Sequence, residues 1–356
     1  MKERVYCLMS GGVDSATAAY LLKEMGYEVV GVTLLLWEGE AGGKSCCGQK
    51  AIRDAAACAA EIRIPHLTLD LREEFKKLVV EDFLISYLSG RTPNPCIVCN
   101  QKIKFGKVLE RLAQLFPDEA GHIATGHYAR IENSFLKKGK VLKYDQSYFL
   151  YALPKERLKR ILFPIGDYGK EEVREIARKA NLVTAEKPKS QEICFIPDDD
   201  YPRFLLKFYP NAAKPGPILD REGKEIGQHK GIIYYTIGQR RGVGIARGKR
   251  LYVIKTDPVN NTIVLGEEKD TYGKEALVSQ LNLFVEIPDG LRAKAKIRHQ
   301  DKESWAIVNW LGKDQILVRF EEPKWAITPG QSLVLYDNDT VLGGGVIQDE
   351  FGRLQK

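Results

Sequence analysis

A glycine-rich turn near the N-terminus, Ser10-Gly11-Gly12-Val13-Asp14-Ser15, constrains the fold of this chain more than any other feature. The run before it, Arg4–Met9, predicts a strand, and the apolar spacing of Asp14–Met25 predicts a helix. Glycines in such a turn let consecutive backbone N–H groups point at one anion, and the helix N-terminus adds positive potential. Together with the hydroxyls of Ser10 and Ser15, the turn predicts a nucleotide phosphate site rather than a plain strand-to-helix connection. It contains no Gly-Lys-Ser/Thr, so it is not the loop that grips β- and γ-phosphates with a lysine.

Strands and helices alternate over the first half of the chain. Further strands are predicted at Val29–Leu36, His66–Asp70 and His122–Gly126, and amphipathic helices at Lys50–Glu61, Glu73–Leu88 and Lys170–Ala180. This alternation predicts a parallel sheet covered by helices, with ligands bound at the carboxyl ends of the strands.

The pattern changes after about Phe204. Lys214-Pro215-Gly216-Pro217 indicates a turn or linker. Beyond it, alternating apolar and polar residues predict a small antiparallel β-barrel built from Leu291–His299, Ser304–Trp310, Gln315–Glu321, Ser332–Tyr336 and Thr340–Ile347. The predicted fold class is α/β: a parallel-sheet, Rossmann-like domain over residues 1–205, a small mainly-β central domain over 206–278, and a C-terminal barrel over 279–356.

Composition excludes several classes of protein. The 356 residues are 44% hydrophobic and 28% charged, which is ordinary for a globular chain. No apolar run approaches the roughly 18 residues of a membrane span, and the N-terminus lacks the apolar core of a signal peptide. We therefore expect a cytoplasmic protein without membrane contact. Seven cysteines without regular spacing do not form a disulfide framework, so those with a role should be reactive or bind metal.

The positive charge is concentrated in one segment. Gln228–Lys255 carries seven basic residues and no acidic one, against a net charge of +7 for the whole chain. Its charges interleave with Tyr234, Tyr235 and Tyr252, whose rings can stack on unpaired bases. The strand Leu291–His299 places three further cations, Lys294, Lys296 and Arg298, on one face. These patterns predict RNA contact.

The cysteines fall into groups with different sequence contexts. Cys96 and Cys99 lie in Thr92–Asn100, whose two prolines predict a loop. A Cys-x-x-Cys pair alone is compatible with a zinc half-site, a redox pair or two inert thiols, and no second pair completes a zinc site. Cys194 lies in the motif-like run Ser190–Phe195. Of the others, Cys7 and Cys58 are predicted to pack in the core. The sequence context of Cys46 and Cys47, a glycine-rich segment, leaves open whether they have a functional role.

The turn Ser10–Ser15 resembles that of the PP-loop ATP pyrophosphatases, which cleave ATP between the α- and β-phosphates and adenylate a substrate oxygen. Nearly the whole chain resembles the tRNA-specific 2-thiouridylases of the MnmA type. The matching stretches are Ser10–Ser15, Thr92–Asn100 with Lys102–Phe105, Ala124–Arg130, Asp145–Leu150, Ser190–Ile196 and Tyr235–Arg240. The resemblance implies a sulfurtransferase that uses ATP and Mg²⁺ to adenylate the C2 carbonyl oxygen of the wobble uridine. Sulfur from a cysteine persulfide then replaces that oxygen, which gives 2-thiouridine, AMP and pyrophosphate.

The resemblance also implies roles for individual residues. Cys99 would be the catalytic nucleophile and Cys194 the persulfide carrier, with a Cys99–Cys194 disulfide formed during the cycle. ATP would contact Leu8, Met9, Ser10, Gly11, Gly12, Val13, Asp14, Ser15, Leu34 and Gly126, with Asp14 also holding magnesium. The anticodon region of tRNA would contact Asn94, Pro95, Cys96, His127, Tyr144, Asp145, Gln146, Arg298, His299 and Gln331, and the basic segment adds Arg240 and Arg241. A persulfide donor or relay protein would be a partner.

One residue departs from the family pattern. Many members have aspartate where this chain has Cys96, and a thiol could replace that acid/base only with a lowered pKa. Alternatively, Cys96, Cys99 and Cys194 could hold three irons of a [4Fe–4S] cluster. Two other functions compete: another PP-loop enzyme, such as a 4-thiouridine synthetase, an RNA-modifying adenylase or an amide-forming ligase, and a non-catalytic RNA-binding protein.

Overall fold

The structure is a computed structural model that describes residues 3–38, 49–117, 121–187, 193–245 and 250–349. It contains two compact units. The first comprises Met1–Val80, Pro95–Asp199 and Asp339–Val341, and the second comprises Glu81–Asn94, Asp200–Asn338 and Leu342–Lys356. Some residues singled out above lie outside the described residues, namely Cys46, Cys47, Ser190–Glu192, Arg247 and Lys249.

A parallel sheet organises the first unit. Its strands are β1 (Arg4–Leu8), β2 (Glu28–Leu35), β3 (His66–Asp70), β4 (His122–Thr125), β5 (Ala129–Glu132), β6 (Phe135–Lys138) and β7 (Ile161–Leu162). The sheet order is β3-β2-β1-β4-β7, with every pair parallel. Strands β5 and β6 form an antiparallel hairpin outside this sheet, and Lys137 of β6 pairs with Thr340. The predicted parallel sheet is confirmed. Strands β5 to β7 are too short to give a clear alternation in the sequence and were not anticipated.

Helices α1 (Val13–Glu24) and α2 (Gln49–Glu61) pack against the parallel sheet. The first unit also contains α3 (Arg72–Phe75), α5 (Pro95–Val98), α6 (Val108–Leu115) and α7 (Lys170–Lys179), and α4 (Glu81–Leu88) belongs to the second unit. Ala16, Ala18 and Ala19 of α1 are almost completely buried, so small side chains let this helix pack closely. In the part of the chain that the structure describes, no helix combines the length and hydrophobicity needed to cross a bilayer.

The segment that carries two of the cysteines is helical. The predicted loop over Thr92–Asn100 is wrong beyond Asn94, because α5 begins at Pro95 and leads into a π-helical segment, Cys99–Lys107. A proline fits the first helical position because its missing N–H would have no partner there. The predicted helix Glu73–Leu88 is also interrupted, since five residues between α3 and α4 (Lys76–Val80) form a second π-helical segment.

The second unit contains a small mainly-β region that starts at Asp200. Its elements are α8 (Tyr201–Phe208), β8 (Gly216–Leu219), β9 (Glu225–His229), β10 (Tyr252–Asp257) and β11 (Thr262–Gly266), and the sheet order is β10-β11-β8-β9. Tyr201 of α8 stacks on Tyr87 of α4, with ring centroids 4.3 Å apart. The predicted β-rich centre of the chain is confirmed.

A closed antiparallel barrel completes the second unit. Its strands are β12 (Tyr272–Leu283), β13 (Leu291–Lys296), β14 (Ser304–Trp310), β15 (Ile316–Trp325), β16 (Ser332–Asp337) and β17 (Thr340–Ile347). The order is β12-β15-β14-β13-β16-β17, and β12 also pairs with β17, which closes the barrel. The predicted barrel is confirmed. Ala293 and Ala295 point into its core while Lys294 and Lys296 lie partly exposed on the other face of β13, as the alternation predicts.

Shortening a core side chain should destabilise the barrel. Leu335 is fully buried within it, whereas Leu311 is 42% exposed. Leu335→Ala is expected to lower the free energy of unfolding by about 2–5 kcal/mol because it leaves a cavity. Leu311→Ala is expected to change it by under about 0.5 kcal/mol. Urea unfolding followed by tryptophan fluorescence measures both, since Trp305, Trp310 and Trp325 lie on barrel strands; equal effects would contradict the assigned core.

Candidate nucleotide and thiol site

The turn after β1 is held in shape by its own serines. The Ser15 hydroxyl accepts a hydrogen bond from the Ser10 amide at 3.0 Å and donates to the Gly12 carbonyl at 3.1 Å. Gly11 has φ +69°, and a Cβ there would lie 2.6 Å from the Ala51 carbonyl oxygen, so only glycine fits. Gly12 is the N-cap of α1 and has no side chain to cap the first amides of the helix. The turn therefore presents helix N-terminal N–H groups to an anion.

The turn after β4 approaches α1 through Gly126. A Cβ on Gly126 would lie 2.7 Å from both the Asp14 carbonyl carbon and the Ser15 amide nitrogen. These are backbone atoms that cannot move aside without displacing the helix. Gly126 therefore allows the carboxyl end of β4 to pack against the start of α1.

A cavity of about 210 Å³ opens between these turns and the end of β2. Its lining includes seven of the ten predicted ATP residues: Leu8, Met9, Ser10, Asp14, Ser15, Leu34 and Gly126. Gly11, Gly12 and Val13 belong to the turn without lining the cavity. Two residues predicted to bind RNA, His127 and Gln146, line it as well. Sequence reasoning missed Thr33, Thr125 and Lys104, although the first two immediately precede Leu34 and Gly126 at the strand ends.

Asp14 lies at the edge of the cavity with two partners from distant parts of the chain. The Lys170 ammonium donates to both carboxylate oxygens at 2.6 Å, and the Tyr128 hydroxyl donates to one at 2.7 Å. Lys170 is 5% exposed. Burial, followed by the Asp14 charge, raises the pKa of Tyr128, which therefore stays a neutral donor. Neither partner was anticipated, because nothing local in the sequence relates them to the turn.

Two histidines near the cavity are neutral. Burial, and next the charge of Lys104, lower the pKa of His127 well below its usual range, and burial lowers that of His66. His127 Nδ1 lies 2.7 Å from the Thr125 hydroxyl. The Thr33 hydroxyl donates to the Met9 carbonyl at 2.9 Å, so His66 Nε2, 2.8 Å away, must be the donor to Thr33. His127 therefore offers this cavity hydrogen bonds without a charge.

The cysteines differ in burial. Cys7 and Cys58 are fully buried, which confirms the predicted core packing, and burial raises the pKa of Cys7 to about 12. Cys96 on α5 is exposed, Cys99 at the start of the π-helical segment is 7% exposed, and Cys194 is partly exposed. Among the described residues, no three His, Cys, Asp or Glu side chains are grouped so as to hold a metal ion. The geometry of Cys96, Cys99 and Cys194 therefore does not fit an iron–sulfur cluster.

In the first unit, some predicted RNA contacts have internal partners. The Asp145 carboxylate is buried and accepts hydrogen bonds from the Gly139 amide and from the amide and hydroxyl of Ser147, at 2.9 to 3.0 Å. Gln146 accepts from the Tyr128 amide at 3.0 Å, and Tyr144 is partly exposed. Asp145 thus shapes the turn that presents its two neighbours.

In the second unit, Gln331 supports the segment before Asn94. Its side-chain amide donates to the Thr92 carbonyl at 2.8 Å, while Asn94 itself is partly exposed. Arg298 donates to backbone carbonyls near Trp325 and stacks 4.9 Å from that ring, and His299 beside it is partly exposed. Gln331 and Arg298 therefore each have a structural contact besides any contact with RNA.

The basic segment exposes its charges but not all of its rings. Lys230, Arg240, Arg241, Arg250 and Lys255 are exposed. The suggested stacking role of Tyr235 and Tyr252 is wrong, because these rings are 6% and 8% exposed and pack in the core. Tyr234 is partly exposed, and the Lys230 ammonium lies 4.1 Å from its ring centre. The segment therefore offers cations rather than a row of free aromatic rings.

The parallel sheet, the Ser-Gly-Gly-Val-Asp-Ser turn and the cavity at the strand ends define a PP-loop nucleotide-binding protein. Three family models match successive parts of the chain. They are described as the tRNA methyl transferase HUP domain (residues 3–198), the tRNA methyl transferase PRC-barrel domain (203–267) and the aminomethyltransferase beta-barrel domain (274–347).

Curated relatives align over nearly the full length. The tRNA-specific 2-thiouridylase MnmA 1 of Caldanaerobacter subterraneus subsp. tengcongensis is 49% identical, over 98% of this chain and 98% of its own. The MnmA enzymes of Clostridioides difficile and Carboxydothermus hydrogenoformans are 46% and 47% identical, over 98% of this chain and 99% and 98% of theirs. The chain belongs to the MnmA family of tRNA-specific 2-thiouridylases.

A methyl group at Gly126 should disrupt the cavity. Gly126→Ala is expected to weaken ATP binding at least about tenfold, because the added carbon forces β4 and α1 apart. Gly273→Ala is the control, since its methyl group would meet only Ile327 Cδ1, at 3.4 Å. Isothermal titration calorimetry measures both, and unchanged ATP affinity in Gly126→Ala would contradict the assigned cavity wall.

The neutral histidines predict a pH dependence of stability. Their pKa values are lowered on folding, so below about pH 6.5 the unfolded chain binds more protons than the folded one. The free energy of unfolding should therefore fall as the pH drops from about 7.5 to about 5.5, with a slope of up to about 1.4 kcal/mol per pH unit for each histidine. His127→Gln should flatten the slope. Urea unfolding at several pH values measures the slope, and an unchanged slope in His127→Gln would mean that folding does not lower the pKa of His127.

Proposed function

We propose that this chain is an ATP-dependent tRNA 2-thiouridylase that acts on the wobble uridine. The observation that carries the proposal is the cavity at the strand ends, where phosphate-loop residues and residues expected to contact tRNA line the same space. The lining includes Ser10, Asp14 and Ser15 of the phosphate loop together with His127 and Gln146. A nucleotide and a base could therefore meet within one unit of the protein.

Activation of the base is the first chemical problem. A carbonyl oxygen is a poor leaving group, so the C2 oxygen of uridine attacks the α-phosphate of ATP, and the α–β bond breaks to release pyrophosphate. The charge that develops on the phosphates is stabilised by the N-terminal amides of α1 and the hydroxyls of Ser10 and Ser15. Neutral His127 can hydrogen-bond to the base or phosphate without competing for a proton.

The donor set of the cavity fits a magnesium nucleotide. It offers hard oxygen donors, namely the Asp14 carboxylate and two serine hydroxyls. When bound, Mg²⁺ supplies charge neutralisation at the phosphates. Lys170 and Tyr128 hold the Asp14 carboxylate in a fixed orientation from the protein side, which leaves its remaining lone pairs for the metal.

Sulfur arrives as a cysteine persulfide on Cys194, supplied by a donor or relay protein. In one order, the Cys99 thiolate attacks C2 of the adenylated base and expels AMP with the former C2 oxygen, and the terminal sulfur of the Cys194 persulfide then bonds to C2 and displaces Cys99. The freed Cys99 thiolate attacks Cys194 Sγ, which breaks the S–S bond and leaves the terminal sulfur on the base. In the other order, Cys99 first attacks Cys194 Sγ and releases hydrosulfide, which bonds to C2 and expels AMP. Both orders end with a Cys99–Cys194 disulfide that a thiol reductant must reopen, a requirement that a reducing cytoplasm meets.

Cys96 occupies the position of the family aspartate. It is exposed on the first turn of α5, so its thiol is accessible from solvent. We assign it the acid/base role on the target base, together with contacts from Asn94 and Pro95. The proposed reaction uses no iron–sulfur cluster. Iron bound in stoichiometric amount after anaerobic reconstitution would contradict this part of the proposal.

The tRNA contacts extend beyond the reacting base. Arg240 and Arg241, both exposed, would bind the phosphate backbone, and Tyr144 and His299 offer partly exposed rings. Binding through these cations should weaken steeply with salt.

The decisive assay combines the protein with unmodified tRNA, ATP and a persulfide donor, followed by digestion to nucleosides. The wild-type chain is expected to form 2-thiouridine and AMP. Cys99→Ser and Cys194→Ser should each lower the rate by at least about 10³-fold, as for the loss of a catalytic nucleophile.

The control is Cys58→Ala, because the Cys58 thiol is buried and hydrogen-bonded to the Thr184 hydroxyl and has no role in the proposed reaction. It should retain activity. Cys96→Asp should also stay active, whereas Cys96→Ala should be slow. Full thiolation by Cys194→Ser with only a persulfide donor, or no 2-thiouridine from the wild-type chain, would overturn the proposal.

A further inference from the structure

Lys104 lines the nucleotide cavity without belonging to the phosphate loop. It lies on the π-helical segment Cys99–Lys107, which reaches the cavity from a different part of the first unit. Lys104 is the one lysine or arginine among the lining residues that the structure describes. The loop Ser10–Ser15 itself contains no basic residue, so among the described lining residues the full positive charge comes from this segment.

The Lys104 ammonium has no carboxylate partner among the residues that the structure describes. Within the described ranges, Lys104 makes neither an ion pair nor a hydrogen bond to another residue, although its side chain is only partly exposed. The acidic residue of the lining, Asp14, is already paired with Lys170. Lys104 and His127 line the same cavity, and the charge of Lys104 adds to burial in lowering the pKa of His127. An unbalanced cation beside helix N-terminal amides favours an anion.

The π-helical geometry explains how one segment serves both the thiol and the cavity. Its hydrogen bonds join residues five apart, so Lys104 lies about one turn beyond Cys99. In an ordinary α-helix, with 3.6 residues per turn, positions five apart diverge by about 140° around the axis. The wider turn therefore brings the side chains of Cys99 and Lys104 closer to one face than an α-helix would.

We propose that Lys104 binds the phosphates of the nucleotide and takes the place of the lysine that this phosphate loop lacks. The identity of the nucleotide as ATP rests on the proposed function. Lys104 donates to phosphate oxygens in the ground state and stabilises the negative charge that passes to pyrophosphate as the α–β bond breaks.

Binding measurements test this assignment without turnover. The ligands are α,β-methylene-ATP, which cannot release pyrophosphate, and adenosine, which has no phosphate. The variants are Lys104→Met, Lys104→Arg and the control Lys102→Met, which removes an exposed lysine from the same segment. Calorimetric titration gives each dissociation constant, and circular dichroism verifies that each variant is folded.

Lys104→Met is expected to weaken binding of the ATP analogue by about 10- to 100-fold, the loss of a charge-assisted hydrogen bond, and to leave adenosine binding unchanged. Lys104→Arg should recover part of that loss, and Lys102→Met should match the wild type. An unchanged constant for the analogue in Lys104→Met would overturn the assignment. So would an equal loss for adenosine, which would indicate a structural role, or a loss confined to tRNA binding.

The outcome is separable from that of the proposed function. A wild-type chain that makes no 2-thiouridine but binds the analogue through Lys104 would refute the proposed reaction and leave the phosphate contact standing. If the wild-type chain makes 2-thiouridine and Lys104→Met binds the analogue as tightly as the wild type, the proposed reaction stands and the Lys104 phosphate contact is refuted.

Discussion

The close approach of Gly126 to the first turn of α1 is the constraint on which the nucleotide site depends. With no Cβ between them, the end of β4 and the start of α1 meet backbone to backbone. The parallel order β2-β1-β4 then brings three strand ends to one edge of the sheet, and the cavity lies at that edge. Because this contact is made by backbone atoms, the side chains around it are not needed to hold the two elements together and are available to bind a ligand.

Charge in this cavity is arranged for a polyanion. The Asp14 carboxylate is neutralised by Lys170, and His127 is held uncharged by burial and by the charge of Lys104. The positive groups that remain to attract an anion are the N-terminal amides of α1 and the Lys104 ammonium. A site with this balance attracts phosphate and keeps a neutral hydrogen-bonding group, His127, in the cavity lining, which suits the ATP-dependent adenylation proposed for this member of the MnmA family.

The cysteines differ in their positions relative to the nucleotide cavity. Cys7 lies on a central strand, where desolvation raises its pKa to about 12, and Cys58 lies on the buried face of α2. Cys96 and Cys99, in contrast, lie at the start of a helical segment whose π-helical turns lead to the nucleotide cavity. The prolines that suggested a loop in fact begin a helix, because a proline at the first helical position needs no N–H partner.

The sequence by itself determined the parallel sheet, the phosphate turn and most barrel strands, since each follows from a local period or a short motif. It did not determine which side chains meet. Lys170 pairs with Asp14 across 156 positions, Lys104 enters a cavity built by other elements, and Tyr235 and Tyr252 turn inward from a basic segment. Only the tertiary structure decided these partners and this burial. Both depend on how elements that are distant along the chain pack together, and a local sequence pattern carries no information about that packing.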